Sequence, residues 1–266
     1  MHEYGLDQPV LVRYWNWLSG FFTGNMGTST LYHRPVVEVL SQRIGPTLIL
    51  SFTALLIAVI VSLPLGVMSA YKPYTVWDNL ASVVTFFGSC MPGFMTCLIA
   101  ISIFSVTLKW FPTQGMYTAN SAHDFANLAY HLALPALVSS MHMMGRLIKQ
   151  TRSAVLEVMN EEYIKTARSK GLKERKVVIG HALRNALIPI ITQISLSVPG
   201  LVGGSVVIEQ IFSWPGMGSM IIACINARDF DPVLAATVVI CATVMVANLL
   251  LDFLYIALDP RVARER

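Results

Sequence analysis

Five stretches of this chain run for 20 residues or more without one charged side chain: residues 47–71, 79–108, 125–145, 185–208 and 232–251. At about 1.5 Å of rise per residue, ~20 helical residues cross the ~30 Å of hydrocarbon in a bilayer. One charge at the centre of such a helix costs about 2.5–3.5 kcal/mol on insertion, which accounts for their absence from these runs. Helices of soluble proteins keep a charged face to water. Only 13% of the residues are charged, against about 25% in a soluble domain. The chain therefore lacks the polar surface to coat a core of its own size. A soluble enzyme, a disordered segment and a nucleic-acid binder are all excluded, and the predicted fold is an all-α polytopic bundle in a lipid bilayer.

The basic residues orient it. Ten Lys or Arg lie between positions 146 and 184, and the positive-inside rule places that segment in the cytoplasm. Alternation of the spans then puts Lys72, Arg261, Arg264 and Arg266 inside, fourteen in all, and leaves Arg13, Arg34, Arg43, Lys109 and Arg228, five, outside. The expected organisation is an external segment 1–46, a transmembrane domain 47–260 with a cytoplasmic loop 146–184 and an external loop 209–231, and a cytoplasmic tail 261–266. An external N-terminus without a signal peptide points to a further span upstream of this sequence, through truncation or a misplaced start. Val36, Val37, Leu40 and Ile44 share one helical face. They make either a short amphipathic helix on the outer surface or the lead-in to the next span.

The charge-free run 210–227 is different. Its sequence Phe212-Ser213-Trp214-Pro215-Gly216-Met217-Gly218 is that of a turn, and irregular backbone exposed to lipid cannot cross a bilayer. The expectation is a surface loop with Trp214 at headgroup depth, followed by a short helix.

The segment 146–184 is too patterned for a plain connection. Asn160 offers an N-cap, Glu161 and Glu162 occupy the first turn, Lys170 the last, and Gly171 the C′ position, so a helix is predicted over 161–170. A second begins near Lys173 and runs into the next span. Tyr163, Thr166, Ala167 and Lys170 share a face that is small at its centre and charged at its rim. Two readings fit it: a helix laid into a partner's groove, or a helix lying on the lipid surface.

The stretch from Glu162 to Leu172, continuing through His181-Ala182-Leu183-Arg184-Asn185-Ala186-Leu187-Ile188-Pro189, closely resembles the EAA loop of ABC importer permeases. The Tyr after Glu, the Thr-Ala-Arg and the Lys-Gly-Leu are similar to the dipeptide, oligopeptide and nickel permease family. Gly5–Pro9 with Gly24–Ser29, Glu209–Gly218 with Ala227-Arg228-Asp229, and Asp252 with Tyr255 and Asp259-Pro260-Arg261 resemble further segments of that family, so the similarity runs through the whole chain. The family has six spans where this chain shows five. The resemblance implies the bundle of a type I importer permease, half of a pore completed by a second permease subunit. It also implies two cytoplasmic ATPases docked on the EAA helix and an extracytoplasmic binding protein that delivers cargo. Di- or oligopeptides are the expected cargo, nickel or another small solute the alternative. The coupling helix would present Glu161, Glu162, Tyr163, Thr166, Ala167, Arg168, Lys170, Gly171 and Leu172, with Ala167 and Gly171 as close-packing points and Glu162, Arg168 and Lys170 as orienting charges. ATP and Mg would sit on the partner ATPases. No cofactor and no catalytic residue is expected in this chain, which has no GxxxxGK[ST] loop. An ion-driven secondary transporter would place an ionisable group near mid-bilayer, and none of the five runs does.

Other residues carry weaker signals. Pro64, Pro92, Pro135, Pro189 and Pro199 interrupt spans, and Pro189, at the entry of the coupling segment, has the best position for a hinge. Gly200, Gly203 and Gly204 favour tight helix packing or face the pore. Met141-His142-Met143-Met144 cannot converge on one metal ion, since consecutive helical residues diverge by about 100°, and no metal site is expected. Asp252 lies near a span end and reads as a structural ion pair. His123, Asp124 and His131 form no hydrolytic set, and Cys90, Cys97, Cys224 and Cys241 form no framework.

Overall fold

The computed structural model of the chain describes residues 9–118, 124–202 and 206–258. A first helix, α1 (Val10–Phe22), leads into a small hairpin in which β1 (Thr28–Ser29) pairs antiparallel with β2 (Arg34–Pro35). Helix α2 then runs unbroken from Val36 to Tyr71. The amphipathic face at 36–44 is thus the lead-in to a span. Val36, Val39 and Leu40 are buried against Met217, Met220 and Cys224.

The second charge-free run folds as two pieces. Helix α3 (Val76–Cys90) stops at Met91, and α4 (Gly93–Ala100), continued by a π-helical turn over Ile101–Thr107, leaves at a bend of 114°. The ring of Pro92 disfavours helical geometry in the residue before it, and Met91 is accordingly extended, with ψ 131°. Pro64 and Pro135, by contrast, lie inside helices that continue through them.

Helix α5 (Phe125–Met159) is capped by Asp124, whose side chain accepts the Ala126 N–H at 3.1 Å. It extends fourteen residues beyond the charge-free run that ended at Gly145, carrying Arg146, Lys149 and Arg152 along with it. It packs against α2, α3 and the later helix Leu183–Val202. That central position explains its polarity: α2, the 174–197 segment and the stretch Phe230–Leu250 are long and apolar enough to span alone, and the bent α3–α4 pair makes a fourth candidate, whereas α5 is screened by its neighbours. Gly88 and Gly145 let α3 and α5 touch along their backbones. A Cβ on Gly88 would collide with the Met141 carbonyl, and one on Gly145 would lie 2.8 Å from Ser89 Oγ.

After α6 (Glu162–Ser169) and α7 (Glu174–Lys176), a π-helical turn over Val177–Ala182 passes into α8 (Leu183–Val202). Then come α9 (Val206–Ile211), α10 (Met217–Asn226) and α11 (Phe230–Leu258). The short helix expected after the turn-rich run is α10. Trp214, however, is fully buried: its indole Nε1 donates to the Pro46 carbonyl at 2.9 Å, and its ring packs in the core with Leu50, Phe212 and Leu134. A tryptophan with a hydrogen-bond partner inside the protein has no need of the headgroup region.

A buried carboxylate organises that turn. Glu209 accepts from Thr47 Oγ1 at 2.7 Å and from the Ser219 N–H at 2.9 Å, and the Thr47 hydroxyl in turn accepts the Met217 N–H at 2.7 Å. Burial pushes the Glu209 carboxyl above its usual range, and the bonds from Thr47 and Ser219 pull it back. Asp229 organises the hairpin, accepting from Ser29 Oγ at 2.6 Å and the Leu31 N–H at 3.0 Å.

Candidate functional site

The helix predicted over 161–170 is present as α6, one residue shorter at each end than its expected span. Asn160 ends α5 and does not cap α6. Glu161 takes the N-cap position in extended geometry, without a side-chain cap bond. The C-terminal end follows the expected pattern: Lys170 is the C-cap, and Gly171 has φ +75°, a left-handed conformation that a residue with a Cβ adopts at a cost. The Gly171 N–H closes the helix by donating to the Arg168 carbonyl at 2.9 Å.

Helix α6 turns one face inward. Ile164 and Ala167 are buried with Val177 and Ala182 of the following segment, and Val158, Met159 and Leu172 close the cluster. Ala167 is therefore the point where α6 meets its own chain, and it does not form the centre of an open face. Periodicity put Ala167 with Tyr163, Thr166 and Lys170; tertiary packing selects the Ile164–Ala167 side instead, because only that side is free of long polar chains. Glu161, Glu162, Tyr163, Lys165, Thr166, Ser169 and Lys170 remain exposed.

Two polar links complete the anchorage. Arg168 bonds Glu174 through both Nε and Nη2, the latter at 2.7 Å, and so straddles the Gly171 corner. This pairing holds the Arg168 guanidinium even further above its usual range. Asn185 Nδ2 donates to the Tyr163 hydroxyl at 2.8 Å and to the His181 carbonyl at 3.2 Å. Glu162 pairs with Lys165 at 2.8 Å on the exposed side, and Thr166 Oγ1 donates to the Glu162 carbonyl at 3.1 Å. Neither Glu174 nor Asn185 was singled out by sequence, although Asn185 stands in the quoted motif. A carboxylate six residues after an arginine and across a glycine was the available signal for the first.

Pro189 lies inside α8 one turn beyond Asn185, whose carbonyl it cannot serve as a donor. Pro199 and Gly200 fall within α8, and Gly203 and Gly204 lie outside the described residues. The side chain of Asp252 and the 259–261 segment are likewise outside them, as are His123 and residues 5–8. His131 is buried, with its two ring nitrogens 3.0 Å from the Gly115 carbonyl and 3.0 Å from Thr118 Oγ1. Among the described residues, no three His, Cys, Asp or Glu side chains gather as metal ligands.

Long apolar helices around a central α5, with a short helix strapped beneath them by a glycine corner, define a polytopic permease of the type I importer architecture. Solved structures agree on the fold. A chain of the MetNI methionine ABC transporter, in an inward-facing conformation, superposes with a TM-score of 0.67 over 83% of this chain and 96% of its own, at 16% identity. A chain of an amino acid ABC transporter gives 0.58 over 84% and 94%, at 15%. Residues 62–264 match the family described as the binding-protein-dependent transport system inner membrane component, and this chain belongs to it. Among its relatives, the oligopeptide transport system permease protein AppB of Bacillus subtilis is 41% identical over 98% of this chain and 83% of its own length. The glutathione transport system permease protein GsiC of Salmonella typhimurium is 34% identical over 98% and 82%. The chain is a permease subunit of an ABC importer, and its family implies an ATPase and a binding protein as partners.

Proposed function

We propose that this chain forms half of the pore of an ATP-driven importer for di- or oligopeptides, paired with a second permease chain. In this reading α6 is the element through which two cytoplasmic ATPases drive it. The observation that carries the reading is the one-sided anchorage of α6. Its Ile164–Ala167 side is buried in its own chain, while Glu162, Tyr163, Thr166 and Lys170 stay exposed. A helix held on one side and open on the other can receive a groove and pass its displacement on as a rigid body. The route inward is short. Asn185 links the Tyr163 hydroxyl to the start of α8, and Arg168–Glu174 links α6 to α7. Basic residues at this end of the bundle support its placement in the cytoplasm. ATP and Mg belong to the ATPases in this scheme, and this chain hydrolyses nothing. The peptide cargo is inferred from relatives named for oligopeptide and glutathione transport.

The test is reconstitution of the chain with its partner permease, ATPases and binding protein in vesicles, with labelled tripeptide uptake measured. Thr166→Trp places bulk on the exposed face without entering the Ile164 cluster, and it is expected to abolish both ATPase co-purification and uptake. Uptake in vesicles that contain no ATPase, or undiminished ATPase binding by the Thr166 variant, would refute the reading.

A further inference from the structure

Helices α3 and α5 run antiparallel in a register fixed at two points. Arg152 pairs with Asp78 at 2.6 Å, and ten residues further along α3 the Gly88 carbonyl accepts from His142 Nδ1 at 3.0 Å. Beside this seam lie two adjoining cavities that share Ser89. One, of about 430 Å³, is lined by Ser82, Thr85, Lys149 and Arg152 among others, and the second, of about 440 Å³, by Gly88, Gly93, His142 and Arg146. Ser82, Thr85 and Ser89 recur at i, i+3 and i+7 and so form one stripe of α3. The groove's carboxylate, Asp78, is already taken by Arg152, Ser69 Oγ and the Tyr74 N–H. Among the described residues, Arg146 and Lys149 have no acidic or hydrogen-bonded partner. His142 Nε2 is buried and also has none. Because a carbonyl can only accept, Nδ1 carries a proton, and in the Nδ1–H tautomer Nε2 is an acceptor.

The register spreads these groups along α3. Counting from Val76 at about 1.5 Å per residue, Gly88 and His142 stand ~18 Å up α3 and Arg146 ~12 Å, in a hydrocarbon layer of ~30 Å. The neighbouring face of α3 exposes Leu80, Val83, Phe86 and Phe87, as suits lipid. Arg146 and Lys149 are exposed on this chain, and unpaired cations carried on a spanning helix take water in preference to acyl chains. The nearby cavity of about 400 Å³, lined by Phe87, Phe104, Phe111, Leu134 and Met141, has the opposite, apolar character.

We propose that the α3–α5 groove is the stretch of the translocation path that receives the C-terminal carboxylate of the cargo. Arg146 and Lys149 supply the charge, Ser82, Thr85 and Ser89 donate hydroxyl hydrogen bonds, and His142 Nε2 accepts a peptide N–H. The proposal rests on the peptide-importer reading above and adds the part of the cargo that is recognised and where.

The test uses the complete transporter in vesicles, with trialanine and its C-terminal amide as probes and uptake counted per ATP hydrolysed. Loss of charge-assisted bonds from both cations predicts that Arg146→Gln/Lys149→Gln lowers trialanine uptake by about tenfold or more. It also predicts loss of the wild-type preference for the free acid over the amide. Arg146→Lys/Lys149→Arg is expected to retain the preference, and Arg146→Glu/Lys149→Glu to reverse it toward the amide. An unchanged free-acid preference in the glutamine variant overturns the proposal. So does a defect seen only in vesicles containing phosphatidylglycerol, which would make the groove a lipid-headgroup contact. A wild-type complex with no ATP-dependent peptide uptake at all would instead remove the importer reading, so the two failures are separable.

Discussion

Thr47→Val tests what fastens the 209–219 turn to α2. The substitution keeps the shape of a residue only 1% exposed and deletes its hydroxyl. Glu209 then loses the 2.7 Å bond from Thr47, and the Met217 N–H loses its 2.7 Å acceptor. With Glu209 ionised, above its raised value, the hydrogen bond to it contributes about 1.5–3 kcal/mol, and an orphaned buried N–H costs about 1–3 kcal/mol. With Ser219 still bonded to Glu209, a net loss near ~3 kcal/mol is reasonable, which corresponds to about a hundredfold in a local opening equilibrium. Hydrogen–deuterium exchange read by mass spectrometry on residues 209–220 of the solubilised protein measures it. Protection there should fall about a hundredfold, while α5 stays unchanged. Thr47→Ser, which removes a methyl worth roughly 0.8 kcal/mol, should cost only about fourfold. The pH dependence has a defined sign. Burial raises the Glu209 carboxyl above its ordinary value of 4.5. The turn is therefore most stable with that group protonated, keeps its full stability below about 4.5, and loosens as pH rises through the raised value. Protection in the valine variant within twofold of wild type would show that Thr47 does not hold the turn.

Three further outcomes follow from the geometry. Ala167→Trp forces an indole between α6 and the Val177–Ala182 turn, so ATPase co-purification and uptake should both be lost while membrane insertion, read by fractionation, persists. Gly171→Pro cannot reach φ +75° and removes the N–H bonded to Arg168; it should cut uptake as severely, and a transporting Gly171→Pro protein would exclude the corner as a mechanical element. Gly88→Ala drives a methyl into the Met141 carbonyl and should destabilise the α3–α5 contact by about 1–3 kcal/mol, measured as a lower thermal midpoint of the purified protein.

Hydropathy located every long helix, because lipid leaves a plain signature in the absence of charge. It could not see that 79–108 is two pieces, since Pro92 and Met91 break the backbone without altering its apolarity. It also ended the third run at Gly145, whereas α5 carries Arg146 and Lys149 onward beside α3. Charge marks the end of a lipid-facing helix, but not of one sheltered by neighbours. For Trp214 the general preference of tryptophan for interfaces was overridden by one acceptor, the Pro46 carbonyl, on a helix 168 residues away in sequence. On α6, the C-cap and the glycine corner were legible because they are local, whereas Asn160, read as the N-cap, closes α5 and leaves that position to Glu161. Which side faces inward was not, because Val177 and Ala182 decide it.

The break between α3 and α4 has a bearing on biogenesis. Helix α3 is 15 residues, roughly 22 Å, too short to cross by itself. The carbonyl exposed at its end meets His142, which the ribosome adds some fifty residues later. A nascent chain halted before that imidazole emerges holds a half-span ending on an open polar group. The insertion machinery must keep the pair out of lipid until α5 arrives, so the third run to be synthesised is the one that lets the second settle.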